Sequence, residues 1–300
     1  MNGWQDYMAK KSRRGHTVVG NVQVLKKVPS PQLGNRRDLL VYLPPSYEGS
    51  DRRYPVLYMH DGQNLFDRAT SYAGEWQVDE TLEALSPAGV ELIVVGVPNM
   101  GVQRMVEYNP YDDPHEGPGR GETYITFLVE TVKPRVDADF RTLSGPDHTG
   151  VMGSSMGGLI SLYAGFRYPQ VFGLVGAVSP AFGPARGIFS FVEGAPVRPQ
   201  QVYMDAGTRE GAGLEENVHL VGAFSRVYLA LVRRMRDLLL RKGYRPGKDL
   251  LYVEEKRAFH HESAWARRLP SALRFLFPGD TLRRSFGPSQ GVPSHPGGLT

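Results

Sequence analysis

From residue 54 to residue 277, short continuous apolar runs alternate with stretches whose apolar residues recur every three or four positions. Few folds accommodate that alternation. The runs YPVLYMHDG (54–62), VELIVVGVPN (90–99), HTGVMG (148–153), VFGLVGAVSP (171–180), QQVYMDAG (200–207) and DLLYVEE (249–255) read as strands buried on both faces. Between them lie helical stretches. GEWQVDETLEALSPAG (74–89) has apolar residues at 76, 78, 82 and 85, and GETYITFLVETVKPRVDADF (121–140) at 124, 125, 128, 129 and 132. MGGLISLYAGFRYP (156–169), SRVYLALVRRMRDLLLRKG (225–243) and SAWARRLPSALRFLF (263–277) complete the helical set. Strands alternating with helices predict an α/β fold, a mostly parallel sheet covered on both faces. Two earlier β-rich runs, TVVGNVQVLKKV (17–28) and RDLLVYLPP (37–45), suit an antiparallel opening to that sheet.

With 300 residues, 41% of them hydrophobic, the chain can bury one large core. No linker or repeat divides it, so one domain is expected over 17–278. A flexible N-terminal arm (1–16) and a disordered tail rich in Gly, Pro and Ser (279–300) would flank it. The chain has no cysteine, which excludes disulfides, thiolate metal sites and cysteine nucleophiles. Net charge is only +4, and the densest basic run, KKSRR (10–14), lacks interleaved aromatics. It reads as a solvated arm, and no nucleic-acid partner is expected. No apolar stretch approaches membrane-spanning length and the first twenty residues carry no signal-like apolar core, so a cytoplasmic protein without a membrane partner is expected. No cofactor is expected, and the oligomeric state is left open.

Gly153-Ser154-Ser155-Met156-Gly157 fits the pattern G-x-S-x-G between a strand and a helix. There the pattern makes a sharp turn that lifts the central serine, Ser155, clear of the chain, while small neighbours, including Gly158, allow close helix–strand packing. The hydroxyl then sits near a helix N-terminus that favours developing negative charge. A serine nucleophile needs a base, and the base needs an orienting acid. After Ser155 the histidines are His219, His260, His261 and His295. His219 reads as a surface or cap residue and His295 falls in the tail. His260 and His261, in the loop after a strand, compete for the base. Asp205, at a strand end, and Glu210, in the loop beyond it, compete for the acid.

These stretches together resemble the Putative esterase family of α/β hydrolases, which includes enterochelin esterases, feruloyl esterase domains and S-formylglutathione hydrolases. The likeness is carried by YPVLYMHDGQNLFD, EYNPY, GSSMGGLISLYAGFRYPQVFGLVGAVSPAF, MDAGTRE and FHHESAWARRLPSALRFLF, in that order. It implies the α/β-hydrolase fold without a large lid domain, and a serine esterase acting on a small-molecule ester. It places the nucleophile at Ser155, and the base at His260 through an H-x-x-x-x-W segment ending at Trp265. Gly207-Thr208-x-Glu210 matches its G-T-x-[D/E] and favours Glu210 as the acid, with Asp205 the alternative. The resemblance also implies oxyanion N–H donors at Gln63 and Met156. His261 departs from a position that is often Asn or Asp.

Other residues carry two readings each. Arg104 could meet an anionic substrate or pair internally with Glu107. Trp265 and Trp76 could form a stacking surface or belong to the core. His261 could contact substrate or be inert. His60 reads as a buried, hydrogen-bonded neighbour of the oxyanion loop and not as a base. The cluster Asp112, Asp113, His115 and Glu116 reads as a solvated loop ahead of a metal site. The segment 181–200 is too short for a lid domain, so an open cleft preferring short acyl groups or aromatic esters is expected. An acyltransferase on the same residues and a non-catalytic binding protein are the competing readings.

Overall fold

A computed structural model describes residues 3–9, 14–198 and 200–279. Nine strands form one sheet: β1 (Gln5–Asp6), β2 (Asn21–Ser30), β3 (Asn35–Leu43), β4 (Val56–His60), β5 (Ile93–Val97), β6 (Thr149–Ser155), β7 (Leu174–Pro180), β8 (Gln201–Gly207) and β9 (Leu250–Glu255). Their spatial order is β1-β2-β3-β5-β4-β6-β7-β8-β9. The pairs β1–β2, β2–β3 and β3–β5 are antiparallel, and every pair from β5 to β9 is parallel. The described helices are α1 (Val78–Leu85), α2 (Arg104–Glu107), α3 (Gly121–Phe127), α4 (Lys133–Asp139), α5 (Met156–Arg167), α6 (Gly187–Gly194), α7 (Val221–Arg241) and α8 (Glu262–Leu276).

The continuous apolar strand runs follow from burial on both faces. Along β4, Val56 and Tyr58 join the core under α3 to α7, while Leu57 and Met59 join the core under α1 and α8. Every residue of β4 and β5 is buried. The chain leaves β4, adds β5 on one side, then returns to add β6 on the other. That reversal opens a crevice beyond the carboxyl ends of β4 and β6, where ligands bind in open parallel sheets.

Three features differ from the sequence reading. The segment read as a flexible arm includes β1, which pairs with β2, and both Trp4 and Tyr7 are buried. Tyr7 Oη donates to Asp67 (2.9 Å) and Trp4 Nε1 to Asp139 (2.7 Å), so apolar rings and two hydrogen bonds dock this segment. Most of KKSRR, and the tail beyond Gly279, lie outside the described residues. Second, the helix expected over 121–140 carries a π turn at Leu128–Val132, just before Pro134, whose missing N–H cannot close the usual i−4 bond. Third, α6 was not anticipated. It forms inside 181–200, a segment too short for a separate domain, and buries Ile188, Phe189 and Val192.

Candidate active site

β6 delivers Ser155 to the crevice. Its backbone stands at φ 58° and ψ −122°, a conformation side-chain-bearing residues rarely adopt and one that persists only when the surroundings enforce it. The enforcement comes from close packing on either side. A Cβ on Gly153 would lie 2.8 Å from His60 Cδ2, and one on Gly158 would lie 2.8 Å from the Val178 carbonyl oxygen. Gly157, the second glycine of the pattern, is less crowded, its nearest such contact being 3.4 Å. Met156 opens α5, so its N–H belongs to the first turn, which has no intrahelical partner.

His260 sits between β9 and α8, buried between two rings. The Tyr228 and Trp265 centroids lie 5.6 and 5.0 Å from it, the Trp265 plane at 90°. Its Nδ1 is 2.7 Å from Glu210 Oε2. Glu210 is fully buried, and its other oxygen accepts from Ser179 Oγ (2.6 Å) and from the Gly207 N–H. Burial alone would raise this carboxyl. The hydrogen bonds from His260, Ser179 and Gly207 outweigh it and hold the group below the ordinary carboxylate range.

Asp205 lies in the sheet next to this network but faces another partner. It accepts from Arg268 Nε (2.8 Å), the Ser179 N–H (2.9 Å) and Tyr203 Oη (2.8 Å). Ser179 links the two carboxylates, and sequence reasoning missed it. Its hydroxyl also accepts from Trp265 Nε1 (3.2 Å) and Arg268 Nη2 (2.9 Å), its carbonyl accepts from Tyr228 Oη, and its own φ is 38°. The only sequence signal was a serine before Pro180 at a strand's carboxyl end.

The loop after β4 holds the second wall. Asp61 adopts φ 55° and ψ 45° and opens a 3-10 turn over Gly62–Asn64, so the Gln63 N–H stands ahead of the turn's first hydrogen bond, Asn64 to Asp61 (2.8 Å). Arg104 clasps Asp61 through Nε and Nη2 (2.8 and 2.7 Å), and Asn99 Nδ2 adds a third bond (2.7 Å). Of the two readings of Arg104, the internal pair with Glu107 does not form, because Glu107 is buried on Arg37 (2.9 Å). Arg104 does line the crevice, with Nη1 outside the Asp61 pair. Beneath the loop, His60 Nδ1 meets Tyr124 Oη at 2.8 Å. Burial drives the imidazole pKa down to about 3, so the ring is neutral, as a packing residue should be.

His261 caps α8, its Nδ1 accepting from the Ser263 N–H (3.1 Å). Asn and Asp perform the same task, which explains a histidine at that position. Trp265 is 6% exposed, with its N–H on Ser179 and its ring 5.7 Å from Trp76, so both tryptophans are core; Trp265 reaches the crevice only at one wall. His219 is exposed, and Asp112 and Asp113 accept backbone N–H groups within their own loop. Among the described residues, one acidic trio with metal-like spacing occurs, Glu75, Asp79 and Glu80, and it lines neither cavity at Ser155.

Two cavities meet at Ser155. A cleft of about 970 Å³ is lined by Gln63, Asn99, Arg104, His260 and His261 among others. A second, of about 370 Å³, lies on the α6–α7 side against Phe182, Phe224 and Leu231.

The sequence profile of the family described as Putative esterase matches residues 30–276. The chain belongs to this family. With it, the protein is an esterase of the α/β-hydrolase fold. It is similar to the uncharacterized protein YbbA of Bacillus subtilis, 26% identical over 253 residues, covering 81% of this chain and 93% of that one. It is also similar to an endo-1,4-beta-xylanase/feruloyl esterase of Xylanibacter ruminicola, 26% identical over 179 residues, covering 58% of this chain and 23% of that protein. The siderophore hydrolase EstA from Aspergillus nidulans has the same fold, with a TM-score of 0.68 at 20% identity, covering 86% of this esterase and 94% of EstA. No described helix of this esterase is long and apolar enough to cross a membrane.

Proposed function

We propose that this esterase is a serine carboxylic-ester hydrolase working through Ser155, His260 and Glu210 on short-acyl or aromatic esters. One observation carries the reading: strained Ser155 and His260 line one cleft, and His260 is held from behind by a buried carboxylate. Glu210 accepts from Nδ1 and so leaves Nε2 as the base. His260 takes the Ser155 proton as the hydroxyl attacks the ester carbonyl, and Glu210 stabilises the imidazolium that forms. The Met156 and Gln63 N–H groups receive the oxyanion, with the start of α5 adding its positive end. His260 then returns the proton to the leaving alcohol, and water releases the acid by the reverse sequence. Asp205 stays in its ion pair with Arg268. The words feruloyl esterase and siderophore hydrolase in the relatives' names fit this chemistry.

A fluorophosphonate probe tests the reading. The wild-type protein is expected to label at Ser155 and to hydrolyse p-nitrophenyl acetate, and Ser155→Ala to do neither. Labelling elsewhere, or turnover retained by Ser155→Ala, would overturn it.

A further inference from the structure

Away from the crevice, three carboxylates converge where the chain enters α1. Glu75, Asp79 and Glu80 each offer an oxygen, and these oxygens lie within 4.8 Å of one another. Asp79 and Glu80 stand in the first turn of α1, and between them and Glu75 the chain turns at Gln77, with φ 54°. Acids in a helix's first turn are ordinary, because there they sit in water against the positive end of the helix. Asp79 does not sit in water: it is 0% exposed. Its Oδ2 accepts the Val19 N–H (2.8 Å), while its Oδ1 has no hydrogen-bond partner among the described residues. Glu80 Oε2 is also sealed from solvent and has no partner among them.

Buried carboxylates side by side repel one another and lose their hydration, a cost offset only by a positive charge between them. The cationic side chains nearby are committed elsewhere or act at a distance. His16 is held by Asp67 at 2.6 Å, and Arg68, which is exposed, reaches Glu75 as a through-space charge. We infer that Glu75, Asp79 and Glu80 form a binding site for a calcium ion.

The donor set and its span point to that cation. Carboxylate oxygens suit hard cations, and oxygens on opposite sides of Ca²⁺ stand about 4.6–5.2 Å apart, against about 4.0–4.2 Å for Mg²⁺. Glu75 and Glu80 are half-buried, so the ion enters from their side and keeps part of its water shell. Thr17 Oγ1 lies 2.9 Å from both oxygens of Glu75 and accepts the Arg68 N–H (2.8 Å), which orients that carboxylate. The ion stands outside both cavities at Ser155, so its role is to hold the fold. The Trp76 N–H donates to the Asn64 carbonyl (2.8 Å) and the Val78 N–H to the Leu65 carbonyl (3.0 Å). Calcium on residues 75–80 therefore pins the far side of the loop that carries Gln63. The inference is independent of the hydrolase reading, since binding and melting are measured without substrate.

The full chain, stripped with EDTA and dialysed, is titrated with CaCl₂ in a calorimeter and melted with and without the ion. One Ca²⁺ per chain is expected, with a Kd of about 10⁻⁶–10⁻⁴ M. At a hundredfold excess over Kd, Tm should rise by about 5 °C, and MgCl₂ at the same concentration should raise it by less than half as much. Asp79→Asn keeps the volume and removes the central charge. It should weaken Ca²⁺ binding by about a hundredfold or more and abolish the Tm shift. Glu80→Gln, at a half-buried position, is the second variant, read in the same way if Asp79→Asn does not fold. No binding heat and no Tm shift up to about 5 mM CaCl₂, a range that reaches weak calcium sites, would overturn the site, and so would affinity undiminished in the variants. A Mg²⁺ response equal to that of Ca²⁺ would overturn the choice of calcium.

Discussion

Ser179 Oγ donates to Glu210 Oε1 across 2.6 Å, from a strand neighbouring the one that ends before Glu210, and so fixes the carboxylate that faces His260. Arg268 and Trp265 donate to the same hydroxyl and commit its proton to Glu210. Ser179→Ala removes one donor from a buried carboxylate, an interaction worth about 1.5–3 kcal/mol. The expected outcome is a loss of about tenfold or more in kcat. With one donor fewer, the carboxylate is held less firmly against His260 Nδ1. Steady-state kinetics on the variant and on Ser179→Thr, which keeps the hydroxyl, check the point.

Glu210 and Asp205 make opposite predictions. Glu210→Gln leaves the volume in place but offers His260 the wrong hydrogen-bonding partner, and kcat should fall by about 10²–10⁴ with the fold retained. Asp205→Asn breaks a buried pair with Arg268, whose remaining carboxylate partner is Glu255 at 2.8 Å. It should cost roughly 3 kcal/mol, a Tm drop on the order of 10 °C, with a smaller loss of rate. Scanning calorimetry beside steady-state kinetics separates the two.

The neighbouring histidines separate in the same way. His260→Ala should abolish turnover. His261→Ala removes a helix cap worth about 1 kcal/mol and should lower Tm by a few degrees, with kcat changed by no more than about threefold. Melting curves and kinetics on both variants are the check.

His60 makes stability depend on pH. Its pKa is about 3 in the fold against 6.5 for an unperturbed imidazole, so between those values the unfolded chain binds a proton that the folded protein refuses. This contribution is fully present above pH 6.5 and is lost as pH falls toward 3, by about 1.4 kcal/mol per pH unit. His60→Gln should flatten the fall in denaturation free energy between pH 6.5 and 5, as measured in urea titrations. A slope unchanged by the substitution would contradict the assignment.

What the sequence determined by itself was local. Side chains alternate along a strand and return every three to four residues along a helix, so the apolar pattern alone specified β4 to β9, α1, α5, α7 and α8. The strained serine was legible too, because Gly153 and Gly158 mark a close approach that no side chain permits. The rest lay in relationships between distant segments. Glu210 and His260 are 50 residues apart, Arg104 and Asp61 43, Ser179 and Glu210 31. Each pair meets because the sheet order places particular strand ends side by side, and no periodicity in the chain records that order. Arg104 therefore looked free to pair with nearby Glu107 until β4 brought Asp61 to it and β3 brought Arg37 to Glu107. The docking of β1, the formation of α6 and the choice between Glu210 and Asp205 as the partner of His260 were decided the same way. Burial assigns hydrogen-bond partners by proximity in space, and a buried carboxylate takes whichever donor the tertiary packing presents.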